Sequence, residues 1–325
     1  MSVVLNQSVV PIPKFDTYLE KLEYAARVCY LSFGKKKDGS AVKLFKHLYN
    51  SGHWSVFEHL WVEIKFNKLY ATPDLYDGVA ADTQLIQYIL TAHPHFCKFI
   101  EHQPDREYSI AANLRTLLEL YHELDYNKLL TLILYKFLGI DGFKVVSRHE
   151  SEEFLQANVV NALSDEFVCE FDDYLTVEVV TNRAIANEME RHRVLSPSQE
   201  STRYVNYNNK PMRFIIPYGI SDVDSNEYRA WFEAITEAEN RYLSLLRDYK
   251  WPPQKARGIL PLDLATTVVF TATRRQWEDC LKKRTNSDVH PQAVEVAETI
   301  THILGKRPQD FSIDVKVDDC EIRIR

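Results

Sequence analysis

Helical and strand periodicities follow one another along this chain without the regular strand–helix–strand rhythm that builds a parallel sheet. That mixture narrows the fold to α+β, with helices flanking an antiparallel sheet. Strand signals fall at residues 2–11 and from Leu60 to Asn67, where Trp61, Glu63 and Lys65 alternate with Val62, Ile64 and Phe66. Others are Leu175 to Thr181, rich in β-branched side chains, then Ser201 to Tyr207, 213–217, and Phe311 to Ile324. Helical spacing covers Phe15 to Tyr30, 41–50, 81–92, 111–123 and 127–138. It returns from Asn182, a good cap, to about Leu195, where Pro197 forces an end, and over 223–247, 254–260, Asp263 to Arg284, and 290–304.

The 325 residues can bury a substantial core, and no low-complexity tract or linker composition divides them. We therefore expect a single domain over 1–325, with its core in 15–67 and 176–310 and a mainly helical insertion at about 68–174. Within that insertion His93, His95 and His102 are too irregularly spaced to make a persuasive metal site, and no metal is expected. Five cysteines, odd in number and without CxxC spacing, fit a reducing compartment rather than a disulfide scaffold. The N-terminus lacks the pattern of a signal peptide and no apolar run spans a bilayer, so a cytoplasmic protein without membrane contact is expected. A formal charge of −7 argues against a nucleic-acid partner, although a local basic cluster can still hold a small phosphate ligand. No glycine-rich dinucleotide or P-loop motif appears.

Polar chemistry concentrates in Arg191-His192-Arg193-Val194-Leu195-Ser196-Pro197-Ser198-Gln199-Glu200-Ser201-Thr202-Arg203-Tyr204. On one continuing helix Arg191 and Arg193 point nearly opposite ways. Either the chain leaves the helix there, or two ligands or subunits meet. An extended segment after the loop places Ser201 and Arg203 on one face, and a hydroxyl beside a guanidinium suits a phosphate monoester. The plainer alternative is a surface salt-bridge cluster around a helix end, which the uncharged Ser-Pro-Ser-Gln loop explains less well.

Two further segments carry chemistry. Ser55 and Glu58 have the spacing of a capping box, and His53 and His59 flank them at what would also be an anion-binding helix start. Arg257, Arg274, Arg275 and Arg284 form a second basic focus, in which Thr273, Trp277, Cys280 and Arg284 share one helix face. Arg284 either complements the helix dipole or projects into a ligand.

Together these segments resemble the flavin-dependent thymidylate synthases. The resemblance rests on Arg191-His192-Arg193, seven intervening residues and Ser201. In order, Ala25-Ala26-Arg27-Val28-Cys29-Tyr30, Gly52 to His59, Ala256-Arg257 with Leu260-Pro261, Thr271-Ala272 through Arg284, and His290-Pro291-Gln292 also match. It covers roughly 15–67 and 176–300.

The resemblance implies a homotetramer that binds FAD at subunit interfaces. It implies a methyltransferase activity: reductive methylation of dUMP to dTMP, with methylenetetrahydrofolate as carbon donor and NADPH as reductant through FAD. By position, FAD contacts would come from His53, Ser55, Glu58, Arg191, His192, Arg193, Gln199, Thr273, Arg274, Arg275 and Asp279. The dUMP would meet Glu188, Arg191, Gln199, Glu200, Ser201, Thr202, Arg203, Arg257 and Arg284. Arg284 is the expected catalytic residue, favouring ionisation at N3 of uracil. Ser201 would be a contact rather than a nucleophile, since no base stands beside it in sequence.

Two positions depart from the family pattern. Thr273 stands where an Asn is common, and Asp279 where a neutral or basic residue is usual. With the long 68–174 segment they leave open a related flavin-dependent enzyme that hydroxymethylates dUMP or accepts dCMP.

Overall fold

The computed structural model describes residues 3–66, 96–102, 107–123, 134, 138 and 168–305. In chain order the strands are β1 (Val3–Leu5), β2 (Ser8–Pro11), β3 (Trp61–Phe66), β4 (Cys97–His102), β5 (Glu107–Asn113), β6 (Val168–Glu170), β7 (Tyr174–Asn182), β8 (Ser196–Gln199), β9 (Arg213–Ile215) and β10 (Ala265–Thr273). The helices are α1 (Tyr18–Tyr30), α2 (Ser40–Asn50), α3 (Leu114–Glu123), α4 (Arg183–Glu190), α5 (Asn226–Arg247), α6 (Pro253–Ala256), α7 (Arg274–Arg284) and α8 (Pro291–Gly305). The architecture is α+β with antiparallel sheets flanked by helices; β1 and β9 form a separate two-stranded parallel sheet. Among the described residues no helix is long and apolar enough to cross a membrane.

The contacts separate two compact units: Met1–Lys14, Tyr24–Lys36 and Leu175–Arg325 in the first, Phe15–Glu23 and Lys37–Tyr174 in the second. In the first, a sheet of order β2-β7-β10-β8 is covered by α4, α7 and α8. Its centre is β10, where all nine residues from Ala265 to Thr273 are buried. Val177, Val179, Phe270, Trp277, Val296 and Ile300 pack together there, and the Trp277 indole donates to the Leu175 carbonyl at 3.0 Å. A second core forms under α5 from Val205, Tyr207, Met212, Phe214, Ile235, Tyr242 and Leu264.

The second unit has a sheet of order β4-β5-β3-β6, antiparallel throughout. α2 closes in a Schellman arrangement. Gly52, at φ 71°, lets the His53 N–H reach the Leu48 carbonyl at 3.0 Å and its own N–H reach Tyr49 at 3.3 Å. Only a residue without a Cβ adopts that φ cheaply. The 3₁₀ helix Trp54–His59 follows directly. It leads into β3, which has strand partners on both sides.

Several expectations are corrected. Residues 2–11 are two strands, because the chain changes sheets at Asn6–Gln7, β1 joining β9 and β2 joining β7. On β3, Trp61, Val62, Glu63 and Ile64 are all buried, so the alternation does not mark a wet face. Glu63 is tolerated there because Ser109 donates to it at 2.6 Å. The Ser55–Glu58 capping box does not form: His53 is the N-cap residue and no side chain caps it.

The helix expected over 111–123 begins at Leu114, with Asn113 accepting from the Thr116 N–H, and 111–113 complete β5. α4 stops at Glu190 rather than near Leu195. The expected strand Ser201 to Tyr207 is a series of turns, and the strand lies earlier, at Ser196–Gln199. Pro197 is accommodated because β8 is an edge strand, where a missing N–H costs little. The long helix expected from Asp263 is strand β10 followed by α7. β-Branched Thr-Thr-Val-Val suits a pleated, doubly covered strand, and Thr273 starts the helix with a complete capping box to Gln276. The helix expected at 81–92, most of 127–138 and of the 68–174 insertion, His93, His95 and the strand at Phe311 to Ile324 lie outside the described residues.

Candidate functional site

The site of the first unit is built on two helix ends and one strand end. Asn182 accepts from the Ile185 N–H at 2.9 Å and starts α4, whose apolar face Ile185, Ala186 and Met189 is buried. That anchoring leaves Glu188 partly exposed, its side chain 35% accessible. Past Glu190 the chain tightens: the His192 N–H bonds the Met189 carbonyl and the Leu195 N–H the His192 carbonyl. Leu195 is drawn into the core, while Arg191 and Arg193 stay exposed on either side of half-buried His192. The awkward spacing of the two arginines is thus resolved by the chain leaving the helix.

Arg284 comes from the last turn of α7, where Trp277, Cys280 and Leu281 fix the helix against the core. Its guanidinium makes three bonds: Nε to His192 Nε2 at 2.7 Å, one terminal nitrogen to Glu188 Oε2 at 3.1 Å, the other to the Glu188 carbonyl at 2.6 Å. A guanidinium only donates, so His192 Nε2 accepts and the imidazole is neutral with its proton on Nδ1. Burial lowers the His192 pKa first, and the charges of Arg284 and Lys283 lower it further.

β8 delivers the second cluster. The Gln199 amide nitrogen is buried with no hydrogen-bond partner among the described residues. The next residue, Glu200, is 1% exposed and engaged at every polar atom. Tyr207 donates to Oε1 at 2.6 Å, Arg213 to Oε2 at 2.9 Å, and the Thr267 N–H lies 3.4 Å from Oε2. The Glu200 N–H bonds the Thr267 carbonyl at 2.8 Å, and the Glu200 carbonyl accepts from Arg183 at 2.8 Å. Burial and the carboxylate push the Tyr207 phenol well above its usual range.

A turn follows. The Ser201 N–H bonds the Cys29 carbonyl at 2.9 Å, Ser201 Oγ accepts from the Arg203 N–H at 3.3 Å, and Tyr204 and Val205 both donate to the Ser201 carbonyl. Arg257 reaches Thr202 Oγ1 at 3.4 Å. The exposed Arg203 guanidinium lies 5.4 Å from the centre of the Tyr204 ring, which also meets Tyr30 at 5.1 Å. Ser201 and Arg203 are therefore brought together by a turn and not by strand pleating.

The remaining expected residues are placed separately. Thr273 and Arg274 serve the fold: Thr273 caps α7 and Arg274 donates to the Leu304 carbonyl at the end of α8. Arg275 and Asp279 are exposed on α7. His53, Ser55 and Glu58 belong to the second unit, the first two exposed and Glu58 bonded to Arg115 at 2.6 Å. His59 beside them is fully buried, and its pKa is pushed down to about 3 by that burial and by Lys21. Sequence reasoning missed Arg183, Tyr207, Arg213 and Thr267. No local motif marks them, and only the meeting of four segments at Glu200 shows their part.

Chemically, the unit presents a largely buried cation at Arg284 held by three hydrogen bonds, a basic turn carrying the Ser201 and Thr202 hydroxyls, and a buried amide nitrogen with no partner among the described residues. Arg191, Arg193 and Arg275 are exposed. That combination suits a phosphorylated heterocycle together with a second anionic group.

The family model described as thymidylate synthase complementing protein matches residues 145–307. That span takes in every expected residue from Glu188 to Arg284 and leaves out His53, Ser55 and Glu58. A flavin-dependent thymidylate synthase of Mycolicibacterium gilvum is 30% identical over 160 residues, 43% of this chain and 62% of the relative. One of Geobacter sulfurreducens is 25% identical over 178 residues, 54% and 68% of the two chains. One of Mycobacterium tuberculosis is 26% identical over 159 residues, 43% and 62%. The chain thus spans about 62% of the length of the first of these relatives.

Proposed function

The chain belongs to the thymidylate synthase complementing protein family, and from that premise we propose that it methylates dUMP reductively to dTMP. Methylenetetrahydrofolate would supply the carbon and NADPH the reducing equivalents, through FAD. The observation that carries this reading is the Arg284 guanidinium, held by three hydrogen bonds to Glu188 and His192.

On this reading the uracil ring lies against Arg284. A guanidinium prevented from moving favours loss of the N3 proton and stabilises the negative charge that develops on the ring, without reorganisation at the moment of reaction. Glu188 orients that guanidinium, and its partly exposed carboxylate faces the nucleotide. The turn Gln199 to Arg203 and Arg257 bind the 5′-phosphate, with Ser201 donating its hydroxyl. Ser201 acts as a contact because, among the described residues, no imidazole or carboxylate hydrogen-bonds its Oγ to take a proton.

The residues present fit FAD. The Gln199 amide nitrogen, buried without a partner among the described residues, offers a donor, and the exposed cations Arg191, Arg193 and Arg275 suit a diphosphate. When bound, the flavin supplies the hydride and carries the one-carbon unit, so the protein needs no nucleophile of its own. His192, Arg191 and Arg193 would hold it, with Thr273, Arg274, Asp279, His53, Ser55 and Glu58 assigned by resemblance. In a homotetramer these contacts can come from different subunits. We place the enzyme in the cytoplasm, without nucleic-acid or membrane partners.

The alternative of dUMP hydroxymethylation, or of dCMP as substrate, rests partly on Thr273. Its complete capping box gives that residue a structural reason and weakens the alternative. The deciding experiment uses full-length protein: a yellow preparation with oxidised-flavin bands, tritium release from C5-labelled dUMP, and a thymidylate mass in the product. A colourless protein inert towards dUMP would sink the proposal.

A further inference from the structure

Glu200 sits between two arginines that stand outside the Arg191-His192-Arg193 motif. Arg213 holds its carboxylate at 2.9 Å and Arg183 its carbonyl at 2.8 Å. Each arginine also reaches a neighbouring hydroxyl of β10: Arg183 lies 3.4 Å from Thr266 Oγ1 and Arg213 3.2 Å from Thr267 Oγ1. Consecutive strand residues point to opposite faces. The two guanidiniums therefore grip Glu200 from both sides of the central strand. Its N–H is tied to the Thr267 carbonyl and its other carboxylate oxygen to Tyr207. The residue that follows, Ser201, begins the basic turn.

We propose that Arg213 and Arg183 are positioning residues for nucleotide binding. They lock Glu200, and so set the Ser201–Arg203 turn in its phosphate-binding shape before any ligand arrives. The inference rests on the nucleotide reading above and deepens it. Two physical consequences follow from the clamp. A preset turn spends no binding energy on ordering itself, so affinity for the phosphate group rises. The Arg213 guanidinium also offsets the buried carboxylate beside the turn, which would otherwise repel a phosphate dianion. The clamp acts on the phosphate end of the ligand. Removing it should weaken phosphate recognition and leave the chemistry at Arg284 intact.

The test is calorimetric titration of the full chain with dUMP and with deoxyuridine, which lacks the phosphate, combined with steady-state rates. In the Arg213→Gln variant the dUMP dissociation constant and KM should rise about tenfold while deoxyuridine binding and kcat at saturation change by less than about threefold. Arg213→Lys, which restores the charge, should recover most of the dUMP affinity. Should Arg213→Gln not fold, Tyr207→Phe removes one bond to Glu200 while keeping the ring, and it should show a smaller loss confined to dUMP. Equal weakening of dUMP and deoxyuridine, or unchanged dUMP affinity in the folded variants, overturns the inference. Wild-type protein that binds no dUMP overturns the nucleotide reading itself, a result distinct from wild-type binding with insensitive variants.

Discussion

The Nε–H of Arg284, in the last turn of α7, donates to Nε2 of His192, one residue beyond the Arg191 cap of α4, across 2.7 Å. The bond exists only while His192 is neutral, and this links the placement of the cation to pH. The His192 pKa is lowered by burial, Arg284 and Lys283. A histidine whose folded pKa lies below its unfolded value of about 6.5 binds fewer protons folded than unfolded in the interval between them. Its contribution to stability is therefore complete above the unfolded pKa and is lost as pH falls towards the folded one. Thermal melts of wild type and His192→Asn, compared from about pH 8 to 5.5, should converge on acidification. Parallel melting curves would contradict this linkage.

Arg284→Lys keeps the charge and loses the planar fork that grips Glu188 and His192 together. The proposed chemistry predicts a fall in kcat of about a hundredfold or more, with the phosphate contacts untouched and dUMP affinity reduced far less. Single-turnover rates at saturating dUMP separate the two effects. A kcat within about threefold of wild type would remove Arg284 from the chemistry.

Thr273→Ala should act on stability. It deletes the side chain that accepts from the Gln276 N–H and the reciprocal bond of the capping box loses its counterpart. The expected cost is about 1 kcal/mol of unfolding free energy, read by urea titration, with a smaller loss of flavin from the purified protein than Arg193→Ala causes. Lost flavin without lost stability would show that the residue serves the cofactor.

Arg193 and Arg203, both exposed, are predicted to divide the ligands between them. Arg193→Ala should lower the flavin content and leave the KM for dUMP within about threefold, and Arg203→Ala should raise that KM about tenfold or more with flavin retained. Visible spectra and dUMP titrations on the same preparations decide the matter. A single ligand affected by both changes would refute the division.

The local sequence settled what depends on local physics. Asn182 marks the start of α4, the apolar spacing of α1, α2, α5 and α8 predicts their existence, and the Arg191-His192-Arg193 cluster with Ser201 and Arg203 identifies the polar centre of the chain. Each of these signals is carried by residues a few positions apart. The sequence of β10 passes for helix because a run of nine residues buried on both faces has no wet side to reveal its period. The turn after Glu200 passes for strand because alternation says nothing about the hydrogen bond from Ser201 to the distant Cys29 carbonyl. What the tertiary structure alone decided is which distant groups meet: Arg284 with His192 and Glu188, and Arg183, Tyr207, Arg213 and Thr267 around one buried residue, Glu200. A charge as deeply buried as Glu200 persists only where partners converge on it, and that convergence is set by the packing of strands and helices far apart in the chain.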